Sequence, residues 1–171
     1  MLWAGRDWPA RDLPPSTASA LARLAQPGGE GQMDAARQII QDAGISVDEV
    51  IMAGLSYQGG DGGDILDFCT EIVESGNARP FSSSVALASA TVRQWHTIRG
   101  RLIDKGITDP LRQLSSLQAL LDVVEVMILD SMSEEKEREE YLHGAWRKST
   151  IDDADTPPSG WTGDGAEGFD I

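Results

Sequence analysis

The side chains capable of chemistry are few and far apart. The chain has one cysteine, Cys69, and two histidines, His96 and His143. A nucleophilic thiol needs a base or cation close by to hold it as thiolate. The sequence around Cys69 offers Phe68, Ile72 and Val73 instead, the setting of a buried structural cysteine. A zinc site needs clustered nitrogen and sulfur ligands. One cysteine and two distant histidines do not supply them, so both histidines read as surface or boundary side chains. The remaining candidate is Gln58-Gly59-Gly60-Asp61-Gly62-Gly63. A phosphate cradle needs a preceding strand and a following Lys-Ser/Thr, and this run has neither. A calcium loop needs ligands at positions one, three and five and a terminal Glu, which Asp61, Asp64 and Asp67 do not provide. The run reads as a connector. No catalytic residue, cofactor or metal is assigned, and the expected protein is not an enzyme.

The elements carrying these residues read as helices. From Pro80 to Lys105, Phe81, Val85, Ala88, Val92 and Trp95 recur at spacings of four and three, predicting one helix with one buried stripe. Gly106 stands where a C-cap belongs. Asp109-Pro110 restarts the chain, with Asp as N-cap and Pro at the first helical position. The next helix, about 110–131, carries Leu111, Leu114, Leu117, Leu120, Leu121, Val124, Met127 and Ile128. Its wide apolar arc predicts the most buried helix of the molecule. Ser133 is the expected cap of a third helix, about 134–147. Glu134, Glu135 and Glu137 lie at its start and Arg147 and Lys148 at its end, as the helix dipole favours.

Shorter helices are predicted upstream. Ser16 is expected to cap one that runs through Ala25, and Gln32–Ala43 forms another, closed by Gly44. Ser46 and Glu49 form a capping-box pattern before a third that ends near Tyr57. Asp64 caps a fourth, ended by Gly76-Asn77. Residues 1–15 read as an extended segment, because Pro9, Pro14 and Pro15 discourage a helix. Trp3 and Trp8 are expected to fold back onto the core, with a binding hook as the alternative. Arg79, Arg93, Arg99, Arg101 and Lys105 form the main basic cluster. We expect it to pair with the acids at 134–140; a docking patch is the other reading.

Composition bounds the rest. The 171 residues are 40% hydrophobic, enough for one ordinary core, so we expect a small all-α bundle over 16–148. The formal net charge of −14 disfavours nucleic-acid binding, which needs clustered cations. It suits solubility or a basic protein partner. No apolar run approaches the roughly 20 residues that span a bilayer. The first residues lack the charged-then-apolar order of a signal peptide, and the lone cysteine suits a reducing cytoplasm. Residues 149–171 contain six acids and no Lys or Arg, which leaves about −8 for the remainder. Their Gly- and Pro-punctuated composition predicts a disordered acidic tail. Within and beside it, Trp146, Trp161, Phe169, Asp152, Asp153 and Asp155 are the candidate partner-binding residues. An inert solubilising tail is the alternative.

A resemblance rests on four stretches: Gln94 to Ile103, Asp109-Pro110-Leu111, Leu120 to Leu129, and Lys136-Glu137-Arg138-Glu139. Followed by Tyr141-Leu142-His143-Gly144-Ala145-Trp146 and Pro157-Pro158-Ser159-Gly160-Trp161, they resemble the tail assembly chaperones of long-tailed phages of actinobacteria. The likeness covers roughly residues 79–161 and consists of helix and cap patterns. It implies a non-enzymatic factor in the host cytoplasm, absent from the finished particle. Such a factor binds the tape-measure protein, keeps it soluble and recruits tail-tube protein; self-association is left open. It also implies a programmed frameshift giving a longer product that shares residues 1 to about 148. The competing classes are a virion component, such as a head–tail connection or packaging protein, and an acidic DNA mimic.

Overall fold

The computed structural model describes residues 1–9, 11–26, 31–57 and 64–145. They form an all-α fold with one small hairpin at its N-terminal edge. The predicted tail and the Gly-rich connector lie outside the described residues.

The hairpin pairs β1 (Leu2–Trp3) with β2 (Arg6–Asp7), Leu2 opposite Asp7 and Trp3 opposite Arg6. Ala4 and Gly5 turn the chain with φ of +48° and +68°. Positive φ at both central residues suits the twist of a two-residue hairpin. The expected extended segment is therefore partly a hairpin here, and it folds back. Trp3 and Trp8 are buried against Phe68, with ring centroids 4.7 and 5.0 Å away. Arg6 covers the Trp8 ring from outside at 4.4 Å. Further on, the Leu117 amide donates to the Leu13 carbonyl at 2.6 Å. The Arg11 carbonyl passes so close to Gly76 that a Cβ there would meet it at 2.8 Å.

A 3₁₀ turn (Pro15–Thr17) leads into α1 (Ala18–Leu24). Ser16 lies inside that turn and caps nothing; Thr17 at the α1 N-cap instead donates its hydroxyl to Asp42 at 2.6 Å. Then come α2 (Gln32–Asp42), α3 (Val47–Ser56) and α4 (Ile65–Asn77). Their punctuation follows local chemistry. Ser46 accepts from the Glu49 amide, Asp64 accepts from the Leu66 amide, and Gly44 takes φ +68°. The capping box at Ser46 is half closed, because the Glu49 carboxylate reaches Arg6.

The predicted helix 80–105 is two helices, α5 (Phe81–Arg93) and α6 (Trp95–Asp104), with an elbow at Gln94. Val92, at the end of α5, is exposed, and Trp95, rephased by the elbow, is only half-buried, although both were expected on the buried stripe. Gly106 ends α6 as expected: at φ +87° it donates to Ile103, and Ile107 donates to Leu102. The predicted helix 110–131 also divides, into α7 (Pro110–Gln113) and α8 (Leu117–Ser131). Asp109 does not cap α7 through its side chain; its carboxylate faces Arg112 at 3.5 Å. Ser116 caps α8 through the Ala119 amide. The last helix, α9, runs Glu135–Ala145, and the Glu134 carbonyl accepts from Arg138, so the cap lies one residue beyond Ser133.

The centre of the molecule is α5 rather than the helix expected over 110–131. Phe81, Val85, Leu87, Ala88, Ala90 and the hydroxyl residues Ser82, Ser83, Ser84 and Thr91 are all buried. Helices α1, α4, α6 and α8 pack against it, and its small side chains allow approach on every side at ordinary interior density. Leu117, Leu120, Leu121, Val124 and Met127 of α8 form one wall. The N-terminal helices belong to the same continuous core: Leu21, Ile39, Ile40, Phe68 and Val73 are buried within it.

Candidate interaction site

The chemistry-bearing residues do not converge. Cys69 is fully buried on α4, and its thiol donates to the Ala36 carbonyl at 3.5 Å. Burial, with a smaller contribution from Asp64, pushes the thiol up to about 12, so it stays protonated and inert at neutral pH. His96 and His143 are exposed, on α6 and α9. Among the described residues no three His, Cys, Asp or Glu side chains stand together as metal ligands. Likewise no described helix is long and apolar enough to cross a membrane.

The strongest polar cluster is structural. Arg79, whose side chain is 2% exposed, donates to Asp122 at 2.6 Å and Glu125 at 2.9 Å, both on α8. Burial lowers the Arg79 pKa, but the hydrogen bonds and charges of Glu125 and Asp122 outweigh it, so the guanidinium stays charged. Tyr141 of α9 is buried beside this cluster. Burial first, then the Glu125 charge, raises its phenol, against a smaller opposing effect of Arg79. The cluster ties the α4–α5 turn, α8 and α9 together. For Arg79 it corrects the expected pairing with the acids of 134–140. Arg79 pairs with α8, and within α9 Lys136 faces Glu140 at 3.6 Å.

What the surface offers is apolar area. On α3, Val50 alone is buried, whereas Ile51, Met52 and Leu55 point outward, Met52 61% and Leu55 78% exposed. Positions 51, 52 and 55 share one helix face. Tyr57, also exposed, continues it, and an open groove runs beside it past Ala4, Arg6, Asp48 and Glu49. An exposed apolar patch rimmed by charges is a candidate interaction surface. A second, smaller groove lies at the α5–α6 elbow between Ala18, Val92, Trp95 and Leu111.

The candidate partner-binding residues Trp146, Trp161, Phe169, Asp152, Asp153 and Asp155 lie outside the described residues. The α3 face was missed by sequence reading. Ile51, Met52 and Leu55 were legible as apolar, but their exposure depends on which neighbours fail to cover α3. A hint was available: a ten-residue helix followed by a Gly-rich stretch has apolar residues around most of its circumference.

No curated protein and no solved structure matches this chain. Over residues 90–170, slightly under half its length and covering the end of α5, α6 to α9 and the acidic segment, it is similar to a family of unknown function (DUF7240).

Proposed function

We propose that this protein is a non-enzymatic assembly chaperone of a long-tailed actinobacteriophage. It binds the tape-measure protein, holds it soluble in the host cytoplasm and promotes tail-tube assembly without entering the virion. The observation that supports this reading best is the outward apolar row Ile51, Met52 and Leu55 on α3. A tape-measure protein is a long helical chain with apolar stripes. An exposed helix face that includes the adaptable side chain of Met52 suits the capture of such stripes. The net charge of −14 keeps loaded complexes apart in solution. In this reading the acidic segment supplies further partner contacts, and a frameshifted longer product shares residues 1 to about 148.

Co-expression with the tape-measure protein tests the proposal. The native chain is expected to keep the client soluble and co-purify with it, whereas Met52→Glu with Leu55→Glu loses the client while remaining folded. Mass spectrometry of purified particles gives the second readout, and abundant chain there would replace the chaperone reading with that of a virion component.

A further inference from the structure

We propose that the acidic C-terminal segment of this chain docks in cis, through Trp161, into the groove at the α5–α6 elbow. The groove encloses about 330 Å³ between Ala18, Ser19, Val92, Trp95, Leu111 and Leu120. That is near the lower end of ordinary ligand pockets, roughly 300–1,000 Å³, and fits an aromatic anchor better than a helix. Its apolar lining is open to solvent, since Val92 and Leu111 are exposed and Trp95 is half-buried.

Four arginines stand within one helical turn of lining residues in an otherwise acidic chain. Arg93 follows Val92, and Arg112 follows Leu111. Arg99 lies one turn beyond Trp95 on α6, and Arg23 one turn beyond Ser19 on α1. All four are exposed. Of the four, only Arg112 has a carboxylate partner among the described residues, Asp109 in its own turn. The segment 149–171 brings six acids and no cation. Charge thus complements charge around an apolar centre, which gives register as well as attraction. Arginines close to the groove also suit an indole, whose face attracts guanidinium groups.

The chain length allows the docking. Helix α9 ends at Ala145, one turn after Tyr141, which lies beside Arg79 near the start of α5. Val92 is about 17 Å from there along α5, at 1.5 Å per residue. The residues from Ala145 to Trp161 span up to about 55 Å when extended. Both Trp161 and the groove wall from α5 to α8 fall within residues 90–170, the stretch covered by one family model. Docking in cis would withhold the groove from other proteins until a tighter ligand displaced the segment. This inference does not depend on the chaperone reading.

The test uses the full chain. A nitroxide is attached at Ala166→Cys; the buried Cys69 thiol stays unlabelled. The amide signals of Val92, Trp95 and Leu111 are expected to broaden severalfold more than those of Met52 and Leu55 on α3, and to do so equally after tenfold dilution. Trp161→Ala, or Arg93→Glu with Arg99→Glu, is expected to abolish most of that difference, and 0.5 M salt to weaken it. Broadening that is uniform, centred on another surface or unchanged in Trp161→Ala would overturn the proposal. So would broadening that fades on dilution, which would assign the groove to a second copy of the chain.

Discussion

Helices α3 and α5 invert the usual relation between apolarity and burial. Helix α5 places three consecutive serines in the core, whereas α3 leaves Ile51, Met52 and Leu55 to solvent. The difference comes from their neighbours. Helix α5 is enclosed by α1, α4, α6 and α8, and small side chains are what such enclosure admits. Helix α3 packs on the body through Val50, with Val47 and Ala53 partly buried beside it, and is followed by a Gly-rich stretch. One helix holds the fold together, and the other is free to hold something else. A hydrophobic residue therefore shows where burial is favourable, and the packing decides whether it happens within this chain or against a partner.

The contrast can be tested through the residues that enforce it. The largest effect is expected at Arg79, which fastens the start of α5 to α8. Arg79→Ala leaves Glu125 buried without its cation and should cost about 3–5 kcal/mol, read as a large fall in thermal midpoint. If the melt barely moves, the cluster is not what holds α5 in place. Leu121→Asp, at a fully buried position on the facing wall, should be comparably damaging, by about 3–5 kcal/mol.

Alkaline pH should weaken the same core. The Cys69 thiol is raised from 9.0 to about 12 in the folded protein. The unfolded chain therefore releases this proton first, and stability present below pH 9 is lost as pH rises towards 12. The buried Tyr141 phenol, also raised, acts in the same direction. Melting curves at pH 7, 9 and 10.5 should show the decline, and Cys69→Ala should make it shallower.

Ser84 probes how tightly α5 is enclosed. Its buried hydroxyl has no hydrogen-bond partner among the described residues. Ser84→Ala should be neutral or stabilising by up to about 1 kcal/mol, while Ser84→Leu should overpack the site and cost about 1–3 kcal/mol. The smallest stability effect belongs to α3: Leu55→Glu should shift stability by no more than about 0.5 kcal/mol. A large loss there would mean that α3 is packed rather than presented.

The sequence by itself determined the helical class and most of the punctuation. The Ser46, Asp64, Gly44 and Gly106 caps form where residue types announce them, because a cap is settled within four or five residues of backbone. Cys69 was likewise legible as buried, from its place in an apolar pattern. The tertiary structure alone decided what depends on distant partners. It bent the chain at Gln94 and at Leu114–Ser116, where the helical periodicity looked unbroken, since packing outweighs the weak local preference to continue a helix. It paired Arg79 with Asp122 and Glu125, more than forty residues away, although acids nearer the C-terminus were just as available in sequence. It also left the α3 row uncovered. Hydrophobic attraction has no direction and no register, so the sequence shows which surfaces need covering, and only the arrangement of all the helices shows which are left over.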